Sequence, residues 1–213
     1  MPTRAPFVTY DSTLLDHVGV SAASSAARTS VRLASMLFLT ALTAMAAQIS
    51  VHLPFTPVPA TLQPMVVLVG SAALGARLGA SSQVLYVLLG ILGYPVFAAS
   101  TILPPGIGRL MGPTGGYLMA YPLAAFVTGT LAERGFDRRY FSSLVAMLAG
   151  MVTLFAGGVV WLAYFASGVG SAVGFVGALE AGLYPFVVQD FVEVAIASAV
   201  LPAVWRFFAP AKE

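Results

Sequence analysis

The chain has 213 residues, 59% of them hydrophobic and 8% charged, with 10 Lys+Arg against 8 Asp+Glu and a mean hydropathy of +0.91. Soluble proteins average roughly 45–50% apolar and about 25% charged residues, so this composition excludes a water-soluble enzyme domain, a nucleic-acid binder and a disordered chain. The absence of cysteine excludes disulfides, thiolate metal sites and a cysteine nucleophile, and because about 20 apolar residues span a bilayer the chain has room for several membrane helices.

Residues 1–28 mix polar side chains, among them Asp11, Asp16 and His17, with a Ser/Ala-rich run. They lack the basic start, short apolar core and cleavage site of a signal peptide and read as a cytoplasmic tail or amphipathic surface segment, leaving residues 29–213 as the membrane domain. Asp, Glu, Lys and Arg are absent from Leu33 to Ala76, Leu78 to Gly108, Leu110 to Ala132 and Tyr140 to Leu179. The first interval is broken by His52-Leu53-Pro54-Phe55-Thr56-Pro57-Val58-Pro59, since proline removes backbone donors and forbids helix continuation. This gives helices near 31–50 and 61–76, the second with Thr61 as N-cap and Pro64 tolerated in the first turn. That second helix is short for a bilayer and needs neighbours or polar flanks to complete the span. A third fits Gly79 to Ala98, ended by the breaker-rich Leu103-Pro104-Pro105-Gly106-Ile107-Gly108. The fourth runs from near Gly115 to near Glu133 and the fifth from Tyr140 to Ser167. Gly168 to Gly182 reads as a loop or short interfacial helix, and the sixth helix runs from about Tyr184 to Phe208, carrying Asp190 and Glu193. The expected fold is an all-α integral membrane protein of six transmembrane helices.

Lys and Arg near helix ends prefer the cytoplasmic side. With six helices and both termini cytoplasmic, Arg4, Arg28, Arg32, Arg77, Arg134, Arg138, Arg139, Arg206 and Lys212 all lie inside and Arg109 alone lies outside. An odd helix count would put Arg32 and Arg206 on opposite sides. The expected location is the inner (plasma) membrane.

Asp190 and Glu193 stand three residues apart on one helical face. Carboxylates at such depth are costly and usually point at a bundle interior or watery cavity, where they mark function; the plainer reading is an internal pair that holds helices together. Gln48, Gln63, Gln83, Tyr86 and Tyr117 suit recognition of a polar head group, or bonding between helices. Gly115 and Gly116, in Gly112-Pro113-Thr114-Gly115-Gly116, allow backbone to approach a ligand or simply permit a turn. Arg109 suits an anionic ligand group or lipid phosphates. His52, a lone imidazole beside prolines, lacks partners for metal binding. Trp161, mid-helix, is a candidate to line a cavity, whereas Trp205 and the tyrosines suit an interfacial belt. Small residues four apart, Thr40 with Ala44, Thr43 with Ala47, and Ala72, Ala76 and Ala80, permit close helix approach inside the bundle or against another membrane protein.

Enzyme chemistry is poorly supported. Gly79-Ala80-Ser81-Ser82 is only vaguely like the nucleophile segment of an intramembrane serine protease, and no membrane histidine partners it. The sequence has no Gly-x-x-x-x-Gly-Lys-Ser/Thr, and its one lysine is Lys212, so a P-loop ATPase is excluded. Pumping energy must come from a partner or an ion gradient. No cofactor and no metal site is expected.

Leu53-Pro54-Phe55-Thr56-Pro57-Val58-Pro59-Ala60-Thr61-Leu62-Gln63, Leu74-Gly75-Ala76-Arg77-Leu78-Gly79, Tyr86-Val87-Leu88-Leu89-Gly90, Gly93-Tyr94-Pro95-Val96-Phe97-Ala98 and Gly112-Pro113-Thr114-Gly115-Gly116-Tyr117-Leu118 closely resemble the BioY family, in order from about residue 35 to 205. The resemblance implies the biotin-specific substrate-binding (S) component of an energy-coupling factor (ECF) transporter. Such a protein captures biotin from the outer side with high affinity and works with a transmembrane coupling protein and paired ABC-type ATPases. In the sixth helix the family pattern resembles Pro-Gly-Asp-Leu-x-Lys, and this chain reads Val188-Gln189-Asp190-Phe191-Val192-Glu193. Asp190 thus matches the family's biotin-contacting aspartate, while Gln189 and Glu193 depart from it. The Pro104–Arg109 loop departs as well, so the resemblance assigns no role to Arg109.

Biotin offers two ureido N–H donors, one strong acceptor, a thioether ring and a carboxylated tail. A buried carboxylate such as Asp190 accepts a ureido N–H in a charge-assisted bond. Gln83 or Tyr86 suits the ureido oxygen, Tyr117, Phe97 and Trp161 the apolar ring, and Arg109 the tail carboxylate. The expected substrate-binding set is Asp190, Gln83, Tyr86, Tyr117, Gly115, Gly116, Arg109, Trp161, Phe97 and Glu193, with the His52–Pro59 loop as a lid. The rival readings are a component for another vitamin and a stand-alone secondary transporter.

Overall fold

The computed structural model describes residues 13–16, 24–100, 103–166 and 173–208. Its helices are α1 (Ser25–Gln48), α2 (Gln63–Leu74), α3 (Ala76–Ile91), the single turn α4 (Gly108–Met111), α5 (Gly115–Glu133), α6 (Tyr140–Tyr164), the short α7 (Gly174–Gly182) and α8 (Val187–Phe208). A two-residue ribbon, β1 (Ser50–Val51) against β2 (Ala60–Thr61), runs antiparallel with Ser50 opposite Thr61. Most of the expected tail, and Ser167 to Ala172 of the glycine-rich stretch, lie outside the described residues.

Three helices, α1, α6 and α8, are long and apolar enough to cross a membrane; α2 and α3 are apolar but shorter. Their outer faces carry bare apolar side chains, among them Phe38 and Met45 on α1, Val152 on α6, and Val188 and Ile196 on α8. A water-solvated surface would not leave so much apolar area open. Polar side chains turn inward instead. On α8 the buried residues are Asp190, Glu193, Val194, Ala197, Ser198, Leu201, Pro202 and Trp205, a stripe that recurs at three- and four-residue spacing along one face of the helix. Asp190 and Glu193 therefore face the bundle, beside α2 and α6, which pack against α8.

Helix ends follow local chemistry. The first helix starts at Ser25, earlier than the expected 31, because the Ser24 hydroxyl accepts the Ala27 N–H at 3.3 Å, a side-chain cap. Thr61 precedes α2, its hydroxyl accepting the Gln63 N–H at 3.4 Å, although the residue in the capping position is Leu62. Gly75, at φ 88°, turns α2 into α3, a conformation that disfavours a side chain. The freed Ala76 N–H is taken at 2.9 Å by Glu133 from the far end of α5. The expected third helix, Gly79 to Ala98, is displaced: it begins at Ala76 and stops at Ile91. Gly93, at φ 94°, turns the chain out of the helix, and Pro95 then disfavours helical geometry at Tyr94.

The small-residue stripes serve packing inside the bundle. Thr40 donates to the Ser82 carbonyl at 3.0 Å, and Thr43 accepts from Gln83 at 3.2 Å, clamping α1 to α3. At one end of the bundle a short 3₁₀ turn, Phe136–Arg138, carries the buried Asp137. Its carboxylate accepts the Trp205 indole N–H at 2.5 Å and the Arg138 guanidinium N–H at 3.3 Å, and Arg138 lies over the Trp205 ring at 3.5 Å. Trp205 is thus a buried tie between α8 and this turn, not a belt residue. Burial raises the Asp137 carboxyl above the ordinary range, opposed by the Trp205 and Arg138 hydrogen bonds and the Arg138 charge.

At twelve residues, α2 rises only about 18 Å, against roughly 30 Å of hydrocarbon. The space over its N-terminal end is filled by the proline-rich hairpin between β1 and β2. That hairpin is pinned at both sides: Thr56 donates to the Ala181 carbonyl of α7 at 2.5 Å, and a His52 ring nitrogen sits 3.1 Å from the Ala99 carbonyl.

Candidate functional site

Beneath the hairpin lies a cavity with about 600 Å³ of empty space, part of it open to solvent. The hairpin supplies its roof through Val58, Pro59, Ala60 and Thr61, and the start of α2 supplies Gln63 and Pro64. Phe97 and Ala98 enter from the loop after α3, and Arg109 from α4. Thr114, Tyr117, Leu118 and Tyr121 come from the start of α5, Leu154 and Phe155 from α6, and Phe186 and Asp190 from the approach to α8. The walls are mainly aromatic and aliphatic with a few polar groups, the composition of a small-molecule site.

Asp190 occupies the first turn of α8, nearer the helix end than its place in the expected helix, and there the N-terminal backbone dipole favours its charge. It is 6% exposed, and its carboxylate receives no hydrogen bond among the described residues. A buried acceptor without a partner is costly, so this carboxylate is available to a ligand. Glu193 lies one turn further along the same stripe, outside the cavity lining. One of its oxygens accepts the Gln189 amide at 2.9 Å, and the other is buried without a partner.

Arg109 is 6% exposed and donates to two backbone carbonyls, Ala98 at 2.5 Å and Leu103 at 3.3 Å. Burial lowers its pKa below the ordinary guanidinium value, yet arginine stays charged at neutral pH. Neither carbonyl neutralises it, and no carboxylate pairs with it among the described residues. A cation therefore stands on the cavity wall ready for an anionic group. Tyr117 donates to the Gly182 carbonyl at 2.6 Å, tying α5 to α7 while its ring lines the cavity. Phe97 lines it from the other side, edge-on to Tyr86 with centroids 5.4 Å apart.

Six of the expected residues lie outside the lining, Glu193 among them. Tyr86 is fully buried behind the wall: its hydroxyl accepts the Gln63 amide at 2.7 Å and donates to the Val96 carbonyl at 3.2 Å. It holds two lining residues, Gln63 and Phe97, rather than lining the cavity itself. Gln83 is spent on the α1–α3 contact, its amide donating to Thr43 and to Ser82 at 3.0 Å. Trp161 turns away from the cavity, donating to the Gly112 carbonyl at 3.0 Å and stacking on Phe165 at 5.5 Å. Gly115 and Gly116 let α5 approach α6, because a Cβ on Gly116 would run into Trp161 and the Gly157 carbonyl, and one on Gly115 into the Leu110 carbonyl. Gln48 likewise serves the loop, its amide reaching the Pro95 carbonyl at 3.3 Å.

The sequence reading overlooked Tyr121. It is 4% exposed, lines the cavity together with Asp190, and its hydroxyl makes no hydrogen bond among the described residues. The signal was its spacing, since Tyr121 is one helical turn beyond Tyr117 and shares its face. Phe155 and Phe186, also missed, carry no polar signal.

The family model described as the BioY family matches residues 20–210. Over 157 residues the chain is 42% identical to a probable biotin transporter BioY of Pyrococcus horikoshii, an alignment covering 74% of this chain and 85% of that one. It is 36% identical over 161 residues to a biotin transporter BioY of Thermotoga maritima, covering 76% and 88%. Among solved structures, the S-component for biotin from an ECF-type ABC transporter superposes with a TM-score of 0.71, covering 86% of this chain and 95% of that one at 22% identity, which establishes a shared fold. The extent of the family match, together with these relatives, shows that this chain is a member of the BioY family and a transport protein.

Proposed function

We propose that this protein is the biotin-capturing S component of an ECF-type transporter. The observation that carries the reading is the pairing, on one apolar cavity, of a hydrogen-bond-free carboxylate at Asp190 with a cation at Arg109 paired to no carboxylate among the described residues. Biotin presents the complement, ureido donors at one end and a carboxylate at the other. In the proposed pose Asp190 accepts a ureido N–H in a charge-assisted bond, Tyr121 serves the same head, and Phe97, Tyr117, Phe155 and Phe186 cover the apolar rings. Arg109 exchanges a carbonyl for the tail carboxylate. Tyr86, Gln83, Trp161, Gly115 and Gly116 act by holding the walls in place.

In the proposed membrane arrangement, α1, α2, α3, α5, α6 and α8 are the six crossings, both termini are cytoplasmic, and the cavity opens outward in the plasma membrane. The distribution of arginines and the outward apolar faces support this. Energy comes from ABC-type ATPases through a transmembrane coupling protein, since the sequence itself offers no phosphate-binding loop. Transport proceeds without a cofactor on this chain.

Thermal unfolding of the purified protein against a panel of vitamins tests the reading. Free biotin raises the midpoint because it binds the folded state alone, and a biotin amide raises it less. In Arg109→Gln the gap between the two ligands closes. A shift with another vitamin and none with biotin overturns the assignment.

A further inference from the structure

Asp190 and Glu193 lie on one buried stripe of α8, three residues apart, each less than a tenth exposed. No ion pair reaches either carboxylate among the described residues. The elements packed against this part of α8 bring no cation: α2 and α6 contain no Asp, Glu, Lys, Arg or His, the tyrosines of α6 lie at its two ends, and Asp137 and Arg138 are engaged with Trp205 at the other end of α8. From α5 come two phenols and no base: Tyr117, already bonded to Gly182, and Tyr121, whose hydroxyl is unbonded and which lines the cavity together with Asp190. Arg109 lines the same cavity and keeps its charge, but it is bonded to the carbonyls of Ala98 and Leu103 and forms no ion pair with either acid among the described residues.

Two like charges in a low-dielectric space without a counter-ion repel strongly, and such a pair keeps one proton. The structure also says where it rests. Asp190 has the helix N-terminus and the cavity in front of it, both of which favour its charge. Glu193 has neither; the Gln189 amide serves one of its oxygens, but the other is buried without a partner, which a neutral carboxyl tolerates far better than a carboxylate.

We propose that Asp190 and Glu193 form a proton-binding site that holds a single proton on Glu193, and that filling the cavity tightens this proton. The proton comes from water through the cavity, and no bond of the ligand forms or breaks. The site stands on its own; its coupling to ligand rests on the biotin reading. In alkaline solution the empty pair loses its proton, and binding must then take one up, so biotin affinity falls by up to about tenfold per pH unit there.

Infrared spectroscopy of the ligand-free protein tests the site directly. A protonated-carboxyl band is expected at neutral pH that disappears in Glu193→Gln, and in Asp190→Asn, where the neighbouring charge is gone, a band that titrates away at lower pH than in the wild type. A spectrum unchanged by Glu193→Gln, or a band in Asp190→Asn that titrates at the wild-type pH, overturns the proposal. Calorimetry in alkaline buffers of different ionisation enthalpy tests the coupling: wild type takes up about one proton per biotin bound and Glu193→Gln takes up none. Equal uptake by both, or uptake by neither, removes the coupling. If the wild type does not bind biotin at all, the ligand assignment falls while the infrared result still decides the proton site.

Discussion

Among the polar residues that the sequence offers, the distinction between recognition and support comes down to which hydrogen bonds are already made. Gln83 and Tyr121 are both buried aliphatic-helix residues with a polar end, yet Gln83 spends its amide on Thr43 and Ser82 while the Tyr121 hydroxyl has no partner among the described residues. Their substitutions are therefore expected to separate. Tyr121→Phe removes one ligand hydrogen bond and weakens biotin by roughly 1 kcal/mol while leaving the melting point of the empty protein nearly unchanged. Gln83→Ala opens the α1–α3 clamp and lowers the stability of the empty protein by about 1–3 kcal/mol; paired thermal unfolding and ligand titration of both variants check this, and the reverse pattern would exchange their roles. From the sequence, Asp190 was legible because a carboxylate in an apolar helix has few reasons to be there. Gln83 was not, because an amide's chemistry is the same whether it meets a ligand or a neighbouring helix, and only the partner tells the two apart.

For the elements, periodicity and breakers predicted the helices better than their ends. The proline cluster correctly interrupts the first apolar run, but the antiparallel pairing of Ser50–Val51 with Ala60–Thr61 is too short to leave an alternating pattern. The expected third helix runs to Ala98 because the breaker-rich Leu103–Gly108 is taken as its end, whereas Gly93 adopts a positive φ and the segment leaves the helix to place Phe97 on the cavity wall. Gly115 and Gly116 are expected from the sequence to admit a ligand or a turn, and the structure instead sets Trp161 and the Gly157 backbone of α6 against them. Gly116→Val should therefore wedge α5 from α6 and cost about 1–3 kcal/mol of stability, read as a lowered unfolding midpoint in detergent. An unchanged midpoint would mean that the two helices do not pack so closely in the membrane protein.

The molecule as a whole is organised by two ends of different chemistry. Arg32, Arg77, Glu133 and Asp16 border one depression, and the Asp137–Trp205 tie lies in the turn that follows α5; the opposite end carries the hairpin, the cavity and Arg109. Composition made the membrane character legible, and the ordered run of family-like segments made the family legible, but the cavity itself needed the fold, because its lining is drawn from six separate segments of chain. The absence of native cysteine allows the orientation to be read by single-cysteine labelling in intact cells. Phe55→Cys, on the exposed hairpin, is expected to react with a membrane-impermeant maleimide from outside, and Phe141→Cys, exposed at the start of α6, only after the cells are opened. Labelling in the opposite sense would invert the proposed arrangement.

The most direct test is a calorimetric titration of biotin into the purified chain and into Asp190→Asn, side by side. The account predicts saturable one-to-one binding by the wild type and a loss of at least about 1 kcal/mol in the variant, since an amide is not a pure acceptor, with both proteins unfolding at similar temperatures when empty. Equal affinities, or a wild-type protein that gives no heat with biotin, would contradict it.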